Sequence, residues 1–166
     1  MKISRIAGIC LYGLLVAAAF PQSQSANSSH PEGSLTLHAT GPFDVKVTPQ
    51  DDKSADPLLG RMALDKQYHG DLEATGTGQM LTAGTSTKGS GAYVAIEKVS
   101  GTLKGRSGSF VLQHSGTMSG GNFRLAVTVV PDSGTGQLAG INGKMAITIE
   151  AGGKHSYDLE YTLPAQ

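Results

Sequence analysis

From residue 34 onward the chain alternates between apolar and polar positions. Along Ser34 to Val47, Leu35, Leu37, Ala39, Phe43, Val45 and Val47 fall on one face. Thr36, His38, Thr40, Asp44 and Lys46 fall on the other, the two-residue period of a strand with one buried side. Pro42 lacks an N–H and so predicts an edge or a bend in the middle of that strand. Similar stretches predict strands over 61–70, 71–84, 92–103, 109–118, 123–130, 144–150 and 154–163, with a bend at Gly70. No stretch sustains a 3.6-residue apolar period with capping residues, so helix is a minor component. Residues 49–59 (PQDDKSADPLL) are charged and flanked by proline, and they read as a loop prone to disorder.

About eight strands joined by connections too short for helical crossovers make the chain all-β and antiparallel. Such a meander has edge strands to protect. Stacking as a two-sheet sandwich is one arrangement, and closure into a single barrel, which abolishes edges, is the other.

Two stretches share the template G-x-L-x-G-x-x-G-x-[FM]-x-[LI]: GTLKGRSGSFVL from Gly101 and GQLAGINGKMAI from Gly136. A phosphate-binding glycine loop needs a helix amino terminus behind it to supply N–H groups to the anion. Both copies lead instead into alternating strands, and the phosphate reading fails on that context. Gly101, Gly105 and Gly108, and likewise Gly136, Gly140 and Gly143, then serve to reverse one strand into the next. Leu103 and Leu138, at matching places in the two copies, are expected to plug an end of the core.

The first 26 residues differ from the rest. Lys2 and Arg5 precede the apolar run IAGICLYGLLVAAAF, which gives way to PQSQSANSS, the pattern of a secretory signal peptide. At about fifteen residues the run is short for a membrane span, so no stable membrane insertion is expected after cleavage. Ala19, Ser25 and Ala26 are the candidate cleavage points, 27–33 reads as a linker, and 34–166 as the barrel domain. The only cysteine, Cys10, lies in the apolar run, so the exported chain would rely on its core without disulfides. Loss of Lys2 and Arg5 leaves a net charge of about −2. With no basic run, nucleic acid is not an expected partner. The expected location is secreted or periplasmic.

The strings GTLKGRSGSFVLQHSGTM, VVPDSGTGQLAGINGKM and LDKQYHGDLEATGTGQML resemble a group of mostly bacterial proteins known as a domain of unknown function, placed with the allene oxide cyclase-like barrels. The resemblance covers roughly Leu35 to Leu163. GTGQLAGING is also similar to a glycine turn late in the barrels of plant allene oxide cyclases and dirigent proteins, matched here at Gly134, Thr135, Gly136, Leu138 and Gly143. The resemblance implies a single eight-stranded antiparallel closed barrel, calycin-like, with an apolar cavity, and a homo-oligomer in some relatives. No catalytic residue of the plant enzymes maps onto a position here.

Strand period places candidate chemistry inside such a barrel. Tyr93, Ala95, Glu97 and Val99 share one face, as do Phe110, Leu112 and His114, and these mostly apolar faces are the inward ones. A two-residue turn at Lys104-Gly105 sets Ala95 opposite His114 and makes Glu97 its diagonal neighbour. A buried carboxylate needs either a cationic partner or a raised pKa. Glu97 and His114 are therefore acid-base candidates, and the alternative is an internal pair that only fixes the barrel. Tyr93, Glu97, Phe110, Leu112, His114 and Tyr157 are the candidate ligand-binding residues. Tyr157 comes from the last strand, where it shares a face with His155, Leu159 and Tyr161 and meets Met145, Ile147 and Ile149 across the turn at 151–153. His69 and Glu73 read as a surface bend. Dispersed histidines, without an H-x-H or H-E-x-x-H pattern, predict neither metal nor cofactor.

Three functions fit these features: binding of a small apolar or lipid-like molecule, an isomerase or cyclase acting on such a ligand, and a structural or interaction role with a filled barrel.

Overall fold

The computed structural model describes residues 35–51 and 56–164. The expected signal peptide, its cleavage points and the linker lie outside those residues, as does the middle of the 49–59 loop. Eight strands follow in chain order: β1 (Leu37–Pro49), β2 (Leu59–Tyr68), β3 (Leu72–Gly84), β4 (Gly91–Leu103), β5 (Arg106–Ser119), β6 (Asn122–Val129), β7 (Asn142–Ile149) and β8 (His155–Thr162). Each pairs antiparallel with its neighbours, and β8 returns to β1, so the meander closes into a barrel. The sandwich is excluded.

Pro42 is not on an edge, because the closed barrel has none. It sits where β1 changes partner, pairing with β8 through Leu37–Phe43 and with β2 through Phe43–Pro49. Its carbonyl accepts the His69 N–H at 3.0 Å. A residue at such a handover is not required to donate in both directions, which is why proline fits.

The β4–β5 hairpin turns at Lys104-Gly105, both in the left-handed region (φ 46° and 80°), as a two-residue connection between twisted strands requires. Ala95 pairs with His114 and Glu97 with Leu112, the register read from the sequence. Elsewhere the alternation is likewise realised: Ala39, Phe43, Leu64, Tyr68, Val99, Phe110, Leu112, Val127, Met145, Leu159 and Tyr161 are buried. Leu35, just before β1, Leu37 at its start and Val47 near its end are exposed, although all three were expected on the inward face.

The two ends of the barrel differ. One end is closed by residues 130–141, which link β6 to β7 and contain a short 3-10 turn at Gly136–Leu138. Leu138, Leu103, Leu72 and Ile141 are almost fully buried there, so both leucines do plug the core. The second glycine stretch thus reverses the chain through a longer loop than the first. The two copies interlock: Thr135 N–H donates to Ser109 O at 2.8 Å, and Ser109 N–H donates to Thr135 Oγ1 at 3.0 Å. A Cβ on Gly108 would overlap the Thr135 carbonyl and come within 3.1 Å of Leu138 Cγ, so this glycine is required by close approach.

At the other end, the β3–β4, β5–β6 and β7–β8 turns surround a mouth. Its inward-facing apolar residues Val47, Met118, Phe123 and Ile149 remain 41–56 % exposed. The interior is therefore a cup, tightly packed at the bottom and open to solvent at the rim.

Candidate functional site

Four polar side chains meet between the packed bottom and the mouth. Lys66 and Tyr68 project inward from β2, Glu97 from β4 and His114 from β5; Lys66, Glu97 and His114 are 8 %, 0 % and 3 % exposed. Lys66 Nζ donates to Glu97 Oε2 at 2.7 Å and to Tyr68 Oη at 3.2 Å, while Tyr68 Oη donates to Glu97 Oε1 at 2.8 Å. The Lys66 ammonium also lies 5.1 Å from the Phe43 ring centroid and 5.5 Å from that of Tyr68, which adds a cation–π contribution in a desolvated setting.

His114 Nε2 is 3.0 Å from Glu97 Oε2. The distance is that of an ion pair, but the contact falls outside hydrogen-bond geometry. Among the described residues Nε2 is consequently the buried side-chain polar atom left without a hydrogen-bond partner.

The sequence prepares room for this cluster with two inward glycines on β3. Gly76 pairs with Lys66 and Val99, and Gly78 with Glu97. A Cβ on Gly76 would collide with Glu97 Oε1, so the carboxylate occupies the space a side chain would have taken.

Burial pushes the Glu97 carboxyl up. The nearby His114 imidazole, the charge and hydrogen bond of Lys66 and the Tyr68 hydroxyl together outweigh it, and the group is held below its ordinary value of 4.5. Of the two outcomes the sequence left open for a buried carboxylate, the cationic partner is the one realised. The Tyr68 hydroxyl is driven far up by burial, by the Glu97 charge and by its hydrogen bond to that carboxylate, so it stays a donor.

The predicted residues divide by depth. Glu97 and His114 come together, and Leu112 stands directly across from Glu97. Phe110 lies deeper, opposite Val99 in the packed bottom. Tyr93 is half-buried at the rim, its ring stacked on Phe123 at 6.4 Å, and burial followed by the Glu97 charge raises its pKa. Tyr157 stands apart from Glu97 and His114: its ring meets Tyr68 edge-on at 5.5 Å. Its hydroxyl donates to His69 O at 3.0 Å and accepts from Leu72 N–H at 2.9 Å, tying β8 to the β2–β3 turn. His69 and Glu73 are exposed at that turn, as expected of a surface bend.

Lys66 and Tyr68 were not singled out by the sequence reading. Their signal is the alternation of RMALDKQY, which sets Met62, Leu64, Lys66 and Tyr68 on one face and so puts a lysine in an apolar row. Chemically, the cluster is an ionised carboxylate that accepts one hydrogen bond at each oxygen, with a cation and an imidazole beside it. Lys66 has two of its three N–H groups committed to Glu97 and Tyr68, and His114 Nε2 rests 3.0 Å from Glu97 Oε2. No three His, Cys, Asp or Glu side chains converge as metal ligands among the described residues.

Comparison with known proteins gives a family. Residues 39–161 match the family described as "Protein of unknown function (DUF3224)". The crystal structure of a protein with unknown function from the DUF3224 family of Shewanella oneidensis MR-1 is similar, with 51 % sequence identity and a TM-score of 0.74. That similarity covers 79 % of this chain and all of the other. No curated protein matches. Because the match spans most of the chain and a solved member shares half its residues over its whole length, the chain belongs to the DUF3224 family.

Proposed function

We propose that the barrel binds a small, elongated apolar or lipid-like molecule, its body in the solvent-open upper cup and one end against the Glu97 cluster. The carrying observation is the contrast along the barrel axis: the inward face is tightly buried below the cluster and half-exposed above it. A barrel of this strand number can hold one small ligand when its interior is not filled by side chains. The half-exposed mouth argues against the filled-barrel role. The cyclase alternative loses one physical motive, a raised Glu97 pKa, because the neighbours of that carboxyl hold it below its ordinary value. Secretion or a periplasmic location, following the amino-terminal apolar run, and kinship with the allene oxide cyclase-like barrels belong to the same proposal.

The test is titration with the neutral, polarity-sensitive dye 1-N-phenylnaphthylamine, together with native mass spectrometry of freshly purified protein. Saturable dye fluorescence at one site per chain, or a co-purified small molecule, is expected. Absence of both would overturn the proposal.

A further inference from the structure

The outer wall of the barrel is divided by charge. Among the described residues, β7, β8 and β1 turn Lys144, Asp158, Glu160, His38, Asp44 and Lys46 outward. On the far side, the outward positions within 77–83 of β3, 92–96 of β4 and 111–117 of β5 hold no charged residue. We propose that this uncharged wall is a contact between two copies of the chain, related by a two-fold axis that runs across the strands. The contact lies on the side of the barrel and leaves the mouth open, so it stands apart from any guest in the cup.

The centre of the wall is apolar. Leu81 and Val94 are direct cross-strand neighbours, Ile96 follows two residues along β4, and their exposures are 58 %, 53 % and 53 %. Threonine, serine and glutamine side chains surround them, and an exposed apolar cluster set in a neutral polar surface is the composition of an interface core. The wall is also preorganised: β3 pairs with β4 from Leu72 to Gly84, and β4 with β5 from Gly91 to Leu103, without a break. Docking a second wall on it therefore orders little backbone.

Charge at the margin identifies the occupant as the chain itself. On β2, Arg61 and Asp65 face outward at equal distances to either side of Ala63. Ala63 lies in register with Gln79, Ile96 and Gln113. A two-fold axis along that row reverses the strand direction and sets each β2 against its copy end for end. Arg61 then meets Asp65 of the second copy, twice in the dimer, while Val94 faces the apolar stem of Lys98. Two hydrogen bonds from the Arg61 guanidinium to Gln79 Oε1, at 2.9 and 2.7 Å, already hold that side chain along the wall.

The size of the face suits a modest dimer. At about 3.3 Å per residue and about 4.8 Å between strands it spans roughly 20 Å by 15 to 20 Å. With the relief of its side chains, that corresponds to the smaller specific interfaces of about 600 Å² per partner, so association in the micromolar range is expected.

The test is sedimentation velocity of the purified protein across the micromolar range, where a monomer–dimer equilibrium is expected. Val94→Glu, which brings two acids into the apolar centre, should weaken the dimer at least tenfold, and Thr148→Glu on the opposite wall should leave it unchanged. Arg61→Asp and Asp65→Arg should each weaken it about three- to tenfold by opposing like charges. Combined in one chain, the two should restore most of the affinity, because opposite signs meet again across the axis. All four positions are exposed, so circular dichroism should match wild type; if Val94→Glu fails to fold, the charge exchange alone decides. A wild-type protein that stays monomeric, a trimer, a dimer indifferent to Val94→Glu, or a double variant no tighter than the single ones overturns the proposal. A monomer that binds phosphatidylcholine vesicles through Val94 overturns it too, and assigns the wall to a membrane.

Discussion

At the scale of single residues, the central fact is a carboxylate with no exposure that stays ionised. Glu97 has a cation at 2.7 Å and a hydroxyl donor at 2.8 Å, which offset the loss of water. Truncating one partner leaves the other charge buried and unmatched. Lys66→Met and Glu97→Gln should each cost about 3–5 kcal/mol, and the double variant much less than their sum, with a coupling of about 1–3 kcal/mol in chemical denaturation. The pH dependence follows from the lowered folded-state pKa. Glu97 takes up a proton in the unfolded chain at a higher pH than in the folded one, so its contribution is fully present above 4.5 and is lost as pH falls through the lower folded value. Urea midpoints of wild type and Glu97→Gln should therefore be well separated at neutral pH and converge below that value. Gly76→Ala attacks the same group through space, because the new Cβ meets Glu97 Oε1. A loss of about 1–3 kcal/mol is expected, and a crystal structure of the variant should show the Tyr68–Glu97 hydrogen bond broken or lengthened. Glu97 and His114 were legible because each interrupts an apolar row at strand period. Lys66 carried the same mark, but a lysine's long stem lets it reach water from many positions, so its place in the row did not by itself announce a buried charge.

At the scale of elements, the glycine repeat has two distinct physical uses under one spelling. Gly105 supplies a backbone conformation: φ is +80° and nothing lies within 4 Å of a Cβ built there. Gly108 supplies space: its missing side chain is where the Thr135 carbonyl and Leu138 sit. Gly105→Asn should consequently cost only a few tenths of a kcal/mol, since asparagine tolerates left-handed backbone. Gly108→Ala should cost about 1–3 kcal/mol and raise amide exchange at Ser109 and Thr135, whose mutual hydrogen bonds the displaced loop would lose; equal protection in both variants would contradict this division. The element pattern was readable because strand ends coincide with turn glycines, as at Gly70 and Lys104-Gly105. What alternation did not reveal is the handover at Pro42, since proline marks an interruption without saying whether the sheet ends or the strand changes partner. Nor did it reveal the β6–β7 seam, where register pairing is confined to Thr128 with Lys144 and a cleft of about 370 Å³ opens beside Ala126 and Ala146.

At the scale of the whole molecule, closure and filling are separate properties, and the sequence spoke to the first more clearly. Closure was what the family resemblance implied, since eight antiparallel strands alone fit a two-sheet sandwich as well. Filling depends on whether inward side chains from different strands meet at the same height, which requires the register of every pair at once. That register puts large groups together at the bottom, where Leu72 pairs with Leu103 and Leu138 joins them, and puts Gly116 opposite Tyr93 and beside Leu125 nearer the mouth. If the half-exposed rim is the binding site, adding bulk there should block binding without harming the fold. Leu125 and Ile147 are partly buried and packed against the core, so tryptophan at either position adds apolar volume on the inner face of the barrel. Leu125→Trp and Ile147→Trp should weaken 1-N-phenylnaphthylamine binding about tenfold or more, while the thermal midpoint stays the same or rises from added burial. Ile96→Trp provides the contrast, since Ile96 is an outward residue of the same barrel, 53 % exposed, and should leave dye binding unchanged. Equal losses at inner and outer positions would place the dye on the barrel's outer surface, and unaltered binding in both inner variants would mean that the upper cup is not where the guest resides.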